Sequence, residues 1–106
     1  MNNKYEEMGK FFKESLELAQ ISADNQELIW CKSNYSIILK GCGRMSAGAL
    51  NDYGIPSLAR LEGGDHLVFI NTTGEGGAKH DAGVLAAFSY LSSKGLNLVL
   101  EDRRLS

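Results

Sequence analysis

Between Tyr5 and Ala19 apolar residues return every three to four positions. On a wheel turning about 100° per residue, Tyr5, Met8, Phe11, Phe12, Leu16, Leu18 and Ala19 share one broad face. Glu6, Glu7, Lys10, Lys13, Glu14, Glu17 and Gln20 take the other. The pattern predicts an amphipathic helix over 4–22, packed on a core. Glu6 precedes Lys10 by four residues, the favourable order for an exposed ion pair. Ser22-Ala-Asp-Asn-Gln26 then breaks the period.

The pattern next turns β-like. Glu27–Lys32 and Tyr35–Lys40 are strand-type runs around Ser33-Asn34, which predicts a hairpin. Gly41-Cys-Gly43 ends the second run. Ser46 is placed to cap a short helix through Leu50, stopped by Asn51-Asp52-Tyr53-Gly54. From Pro56 two readings compete: a helix opened by the proline, or a strand over 57–62 turning through Gly63-Gly64 into 65–72. The two-glycine loop favours the hairpin, with Leu58 facing Phe69 and Arg60 facing Leu67. Asp81 is a suitable N-cap for a helix over 82–94, whose Val84, Leu85, Phe88 and Leu91 form an apolar stripe. Lys94-Gly95 is a stop signal; Leu96–Leu100 reads as a last strand, and 101–106 as a polar tail. The stretch 67–100 is therefore a strand–helix–strand unit, right-handed if its strands are parallel.

These elements predict an α+β fold in a single domain covering 1–106. Its sheet is expected to be mixed or mainly antiparallel, of four to five strands, with the two main helices (4–22 and 82–94) on one face. The bulk properties agree: 106 residues, 43% hydrophobic and 23% charged, are ordinary for a globular domain. A net charge of −2 with no basic stripe argues against direct nucleic-acid binding. No run of about twenty apolar residues marks a membrane span, and the first residues lack a secretory leader, so the expected location is cytoplasmic. Cys31 and Cys42 are too few and too far apart for a zinc knuckle or redox pair and read as free thiols. No His/Cys/Asp/Glu set has metal-ligand spacing; no metal or cofactor is expected.

Candidate chemistry concentrates in Gly74-Glu-Gly-Gly-Ala-Lys-His80 and Asp81, where a strand runs through a glycine-rich loop into a helix. It is not a phosphate loop, because Lys79 and His80 follow too early, and the third glycine of a dinucleotide fingerprint is missing. Glu75, Gly76, Gly77, Lys79 and His80, with Asp52 and Tyr53 in the other polar loop, are the expected ligand- or partner-binding residues. One reading makes the chain a small oligomeric enzyme or anionic-ligand-binding protein, with Lys79 holding an anion and His80 moving protons. Nothing beyond those two residues suggests a catalytic set, and no nucleophile-elbow pattern surrounds Ser46, Thr72 or Thr73.

The other reading is a protein-binding inhibitor. A small, mildly acidic single domain with polar loops at 41–54 and 72–81 and no reaction centre resembles, in type, the cytoplasmic immunity proteins that bacteria pair with contact-dependent inhibition toxins. The resemblance implies a cognate toxin domain, often a nuclease, as partner, neutralised by direct binding.

Overall fold

A computed structural model describes residues 4–27, 29, 34–41, 50–55, 57–59, 65–70 and 77–102. In chain order these form helix α1 (Lys4–Asp24), strand β1 (Tyr35–Leu39), a short helix α2 including residues 50–52, strands β2 (Ser57–Ala59) and β3 (His66–Val68), helix α3 (Ala78–Ser93) and strand β4 (Leu98–Asp102).

Of the predicted apolar face of α1, Met8, Phe12 and Ala19 are buried and Phe11 and Leu16 partly so. Met8, Phe12, Ser15, Ala19 and Ala23 are buried along it. Ser15, the polar member, donates its hydroxyl to the Phe12 carbonyl 2.6 Å away, so no polar group is orphaned there. α1 packs chiefly on α3, and the pair is antiparallel: Lys79 reaches Ala23 at one end, and Tyr90 reaches Glu14 toward the other. The core lies between this pair and the sheet face bearing Ile37, Leu39 and Val68, with Val84, Ala87 and Leu91 facing it from α3. Ile38 and Leu67, on the opposite face by strand alternation, are buried as well.

The strand order is β2-β3-β1-β4, and every pairing is antiparallel. The expectation of a four- to five-stranded, mixed or mainly antiparallel sheet is corrected here. Three antiparallel strands, β3-β1-β4, make its body, and β2 adds only a three-residue ladder at the edge. The predicted hairpin between 27–32 and 35–40 falls largely outside the described residues; β1 itself takes other strands on its two sides. β4 pairs with all five residues from Tyr35 to Leu39, and β3 takes Ile37, Ile38 and Leu39 on the other side. Ile29 is outside any strand and gives its carbonyl to the Ala78 N–H at 2.9 Å.

Other boundaries shift too. The strand alternative after Pro56 is realised over Ser57–Ala59, and Leu58 faces Leu67 rather than Phe69. β4 begins at Leu98 and absorbs Glu101 and Asp102, assigned to the tail, since they lie opposite Ser36 and Tyr35. β3 and β4 are parallel but not adjacent, so the strand–helix–strand unit straddles β1. α2 runs past Leu50 and ends at Gly54, whose φ of 75° suits a residue without a side chain. There the Ile55 N–H returns to the Leu50 carbonyl at 3.0 Å and the Gly54 N–H to Asn51 at 2.9 Å. Leu50 and Ile55, joined by that turn, are both buried in the core.

α2 meets α1 at one crowded place. A Cβ built on Gly9 lies 2.3 Å from Cδ2 and 2.6 Å from Cε2 of Tyr53. Gly9→Ala is therefore expected to overpack by about 1–3 kcal/mol, against a helix-propensity gain of about 1 kcal/mol. In a Tyr53→Ala background the same substitution should turn favourable by about that 1 kcal/mol. A urea-denaturation double-mutant cycle reads the reversal of sign; additivity would remove the contact.

Candidate functional site

The glycine-rich loop delivers its last residues into the first turn of α3. Gly77 is the N-cap, with φ 70° and ψ −137°, a conformation open to glycine and hostile to side chains. The helix thus starts at Ala78, four residues earlier than expected, and Asp81 is a first-turn residue instead of the cap. Its carboxylate serves another element: Oδ1 accepts the Tyr35 N–H at 3.1 Å.

Strand geometry explains why that acceptor is needed. The Lys40 N–H points to β4, donating to the Asn97 carbonyl at 2.9 Å. Backbone groups alternate in direction along a strand, so those of Tyr35 point to the β3 side. β3 stops at Val68, short of the position opposite Tyr35. The first turn of α3 fills the gap. Asp81 takes the Tyr35 N–H, and His80 Nε2 lies 3.1 Å from the Tyr35 carbonyl. A carbonyl only accepts, so Nε2 carries the proton in that contact. Lys79 turns the other way and donates to the Ala23 carbonyl at 2.8 Å, a cation at the C-terminal turn of α1.

All three ionisable groups at the head of α3 are therefore engaged in joining α3 to α1 and β1. The slot beside His80, bounded by Tyr35, Ile37, Val68, Phe69 and Val84, holds about 40 Å³, room for a few waters but not for a substrate. Among the described residues, no group of three or more His, Cys, Asp or Glu side chains is placed to hold a metal ion.

The expected site residues do not converge. Asp52 is exposed, and Tyr53 is half-buried against Gly9. Lys79 sits against Ala23, 14 residues further along α1. At 1.5 Å per residue that is about 21 Å. Glu75 and Gly76 lie outside the described residues, as do Cys31, Cys42, Ser46, Thr72 and Thr73.

A different surface stands out. From Ala82 to Ser93, α3 carries no charged residue. Ala82, Leu85, Ala86 and Ser89 form one wall of an open groove of about 430 Å³, and Ser22 of α1 with Asn25 and Gln26 just beyond its end form the other. Leu85, in the groove wall, is 41% exposed, and on α1 Ile21 is 57% and Leu18 39% exposed. Leu18 was expected on the core face and is instead exposed. The uncharged run between Asp81 and Lys94 was the sequence signal for this surface.

Comparison with known protein families, with curated proteins and with solved structures finds no match to this chain.

Further along the helix pair, polar contacts join α1 to α3 around Tyr90. The Tyr90 hydroxyl donates to Glu14, and the Lys94 ammonium lies 5.2 Å from the Tyr90 ring centre and 5.5 Å from that of Phe11. The hydrogen bond to Glu14 holds the Tyr90 phenol above its usual pKa, aided by desolvation and by the carboxylate charge. No helix of the described residues is long and apolar enough to cross a membrane.

Proposed function

We propose that this chain is a protein-binding inhibitor, a cytoplasmic immunity protein that neutralises a cognate bacterial toxin by direct binding. The observation that carries the reading is the uncharged groove between α1 and α3, lined by the exposed Leu85, together with the exposed Leu18 and Ile21 of α1. Water-exposed apolar side chains around a neutral, small-residue surface suit burial against another macromolecule. The wide separation of Asp52 and Tyr53 from Lys79 and His80 exceeds any small ligand. It still fits one protein footprint, which covers about 800 Å² per partner.

The alternative, a small oligomeric enzyme acting through Lys79 and His80, has less support. Its anion-binding ammonium is engaged with the Ala23 carbonyl and its imidazole with Tyr35, and the space beside them is too small.

The test is co-expression with the product of the neighbouring gene. Growth rescue together with a one-to-one complex on gel filtration is the expected result. Absence of a complex and of rescue would remove the inhibitor reading.

A further inference from the structure

We infer that the first turn of α3 is a latch with a second setting. His80 and Asp81 hold the ladder beyond β3 open, and when they let go of Tyr35, Phe69 and Ile70 zip onto Ser36 and Tyr35. The latched setting keeps both ionisable side chains on the Tyr35 backbone; the zipped setting releases them. This goes beyond the protein-binding reading and does not depend on it.

The register of β1 and β3 carries the first part. Their partners run Leu39↔His66, Ile38↔Leu67 and Ile37↔Val68, so the next two places set Ser36 against Phe69 and Tyr35 against Ile70. The backbone groups of Ile37 and Tyr35 both point toward β3, by the two-residue repeat of a strand. Tyr35 and Ile70 would therefore make a hydrogen-bonded pair, and Ser36 and Phe69 a non-hydrogen-bonded one. The chain does not take those places. Phe69 and Ile70 lie outside any strand, although Ile70 is buried in the same core as β1. Between them and β1 is the slot of about 40 Å³, with Tyr35 and Ser36 along one side, Phe69 and Ile70 along the other, and His80 reaching in from α3.

The exchange conserves the hydrogen bonds of Tyr35. Its N–H passes from Asp81 Oδ1 to the Ile70 carbonyl, and its carbonyl passes from His80 Nε2 to the Ile70 N–H. The slot disappears between the closing backbones, as suits an interior that tolerates few voids. The latched setting is the favoured one because a carboxylate is a stronger acceptor than a carbonyl. Lys79 takes no part: its ammonium stays on the Ala23 carbonyl, so α3 remains fixed to α1 while its head changes partners. Either side chain alone keeps the wedge in place. With His80 still on the carbonyl, loss of Asp81 leaves the Tyr35 N–H bare; loss of both lets the ladder close.

Amide hydrogen exchange in Asp81→Ala and in His80→Ala/Asp81→Ala is the test. The second deletion should undo the effect of the first: the Tyr35 amide, fast in the single variant, slows by at least about tenfold in the double one. A nuclear Overhauser contact between the α-protons of Ser36 and Phe69 should appear with it, the mark of a non-hydrogen-bonded pair. A Tyr35 amide equally fast in both variants, or no such contact in the double one, overturns the inference. If the double variant does not fold, a cross-link decides. Ser36→Cys with Phe69→Cys in the Asp81→Ala chain uses a half-buried and an exposed position. Under oxidised glutathione it should form a 36–69 disulfide, identified by peptide mass, and the Tyr35 amide should then exchange at least about tenfold more slowly than in the reduced chain. Failure of that disulfide to form, or Tyr35 exchange indifferent to it, overturns the inference equally.

Discussion

Truncating Phe12 to alanine is expected to remove about 3–5 kcal/mol of stability, the largest loss from any single side chain considered. The ring is completely inaccessible to solvent and lies in the cluster that contains Met8, Ile37, Leu50, Ile55 and Val68. It belongs to the one cluster that α1 shares with the sheet and with the α2 turn, so its removal leaves a cavity in that common core. Domains of this kind retain only about 5–15 kcal/mol in total, so the variant should be close to unfolding at room temperature. Phe11 is the internal control. It is only half-buried and packs at the margin under Lys94, so Phe11→Ala should cost clearly less. Urea denaturation of both variants decides the matter. A smaller loss at Phe12 than at Phe11 would mean that α1 is rotated from the orientation described.

Asp81→Ala carries the second large effect, about 1.5–3 kcal/mol, because it strips a charged acceptor from the Tyr35 N–H. The carboxylate is buried at 6% exposure, and the strand edge it serves has no β3 residue to replace it. Asp81→Asn retains an oxygen in the same place and gives up only the charge near the N-terminus of α3, which costs about 0.3–1 kcal/mol. Hydrogen exchange should report the same order locally: the Tyr35 amide exchanges much faster in the alanine variant and little faster in the asparagine variant. If alanine and asparagine behave alike, the side chain is not what holds β1 to α3.

Asp81 also illustrates why its sequence signal misled. Aspartate before an apolar helical stripe is a good capping residue, and by local rules the helix should begin at 82. Two long-range contacts changed the balance. The Ile29 carbonyl satisfies the Ala78 N–H, and Tyr35 claims the carboxylate, so the helix gains a turn and Gly77 takes the cap position. The hairpin predicted around Ser33-Asn34 falls largely outside the described residues, but the partners of its second strand carry a related lesson. Turn propensity at Ser33-Asn34 is a property of a few residues, but the neighbours of a strand are chosen by the whole chain. β1 pairs with β3 and β4.

What the amino-acid sequence determined alone is the set of features with local causes. The periodicity of α1 and its buried face, the stripe of α3, the stops at Gly54 and Gly95, and the strand character of 35–39 all follow from side-chain spacing and backbone freedom within a few residues. Even the uncharged run from Ala82 to Ser93 was legible, although its meaning was not. Tertiary structure alone decided the rest. The antiparallel pairing of α1 with α3 set Lys79 and His80 far from Asp52 and Tyr53, engaged both in holding the fold, and left Leu85 in the wall of an open groove. The physical reason is that burial and hydrogen-bond satisfaction are settled between segments distant in sequence, and the surface that remains for a partner is what those settlements leave uncovered.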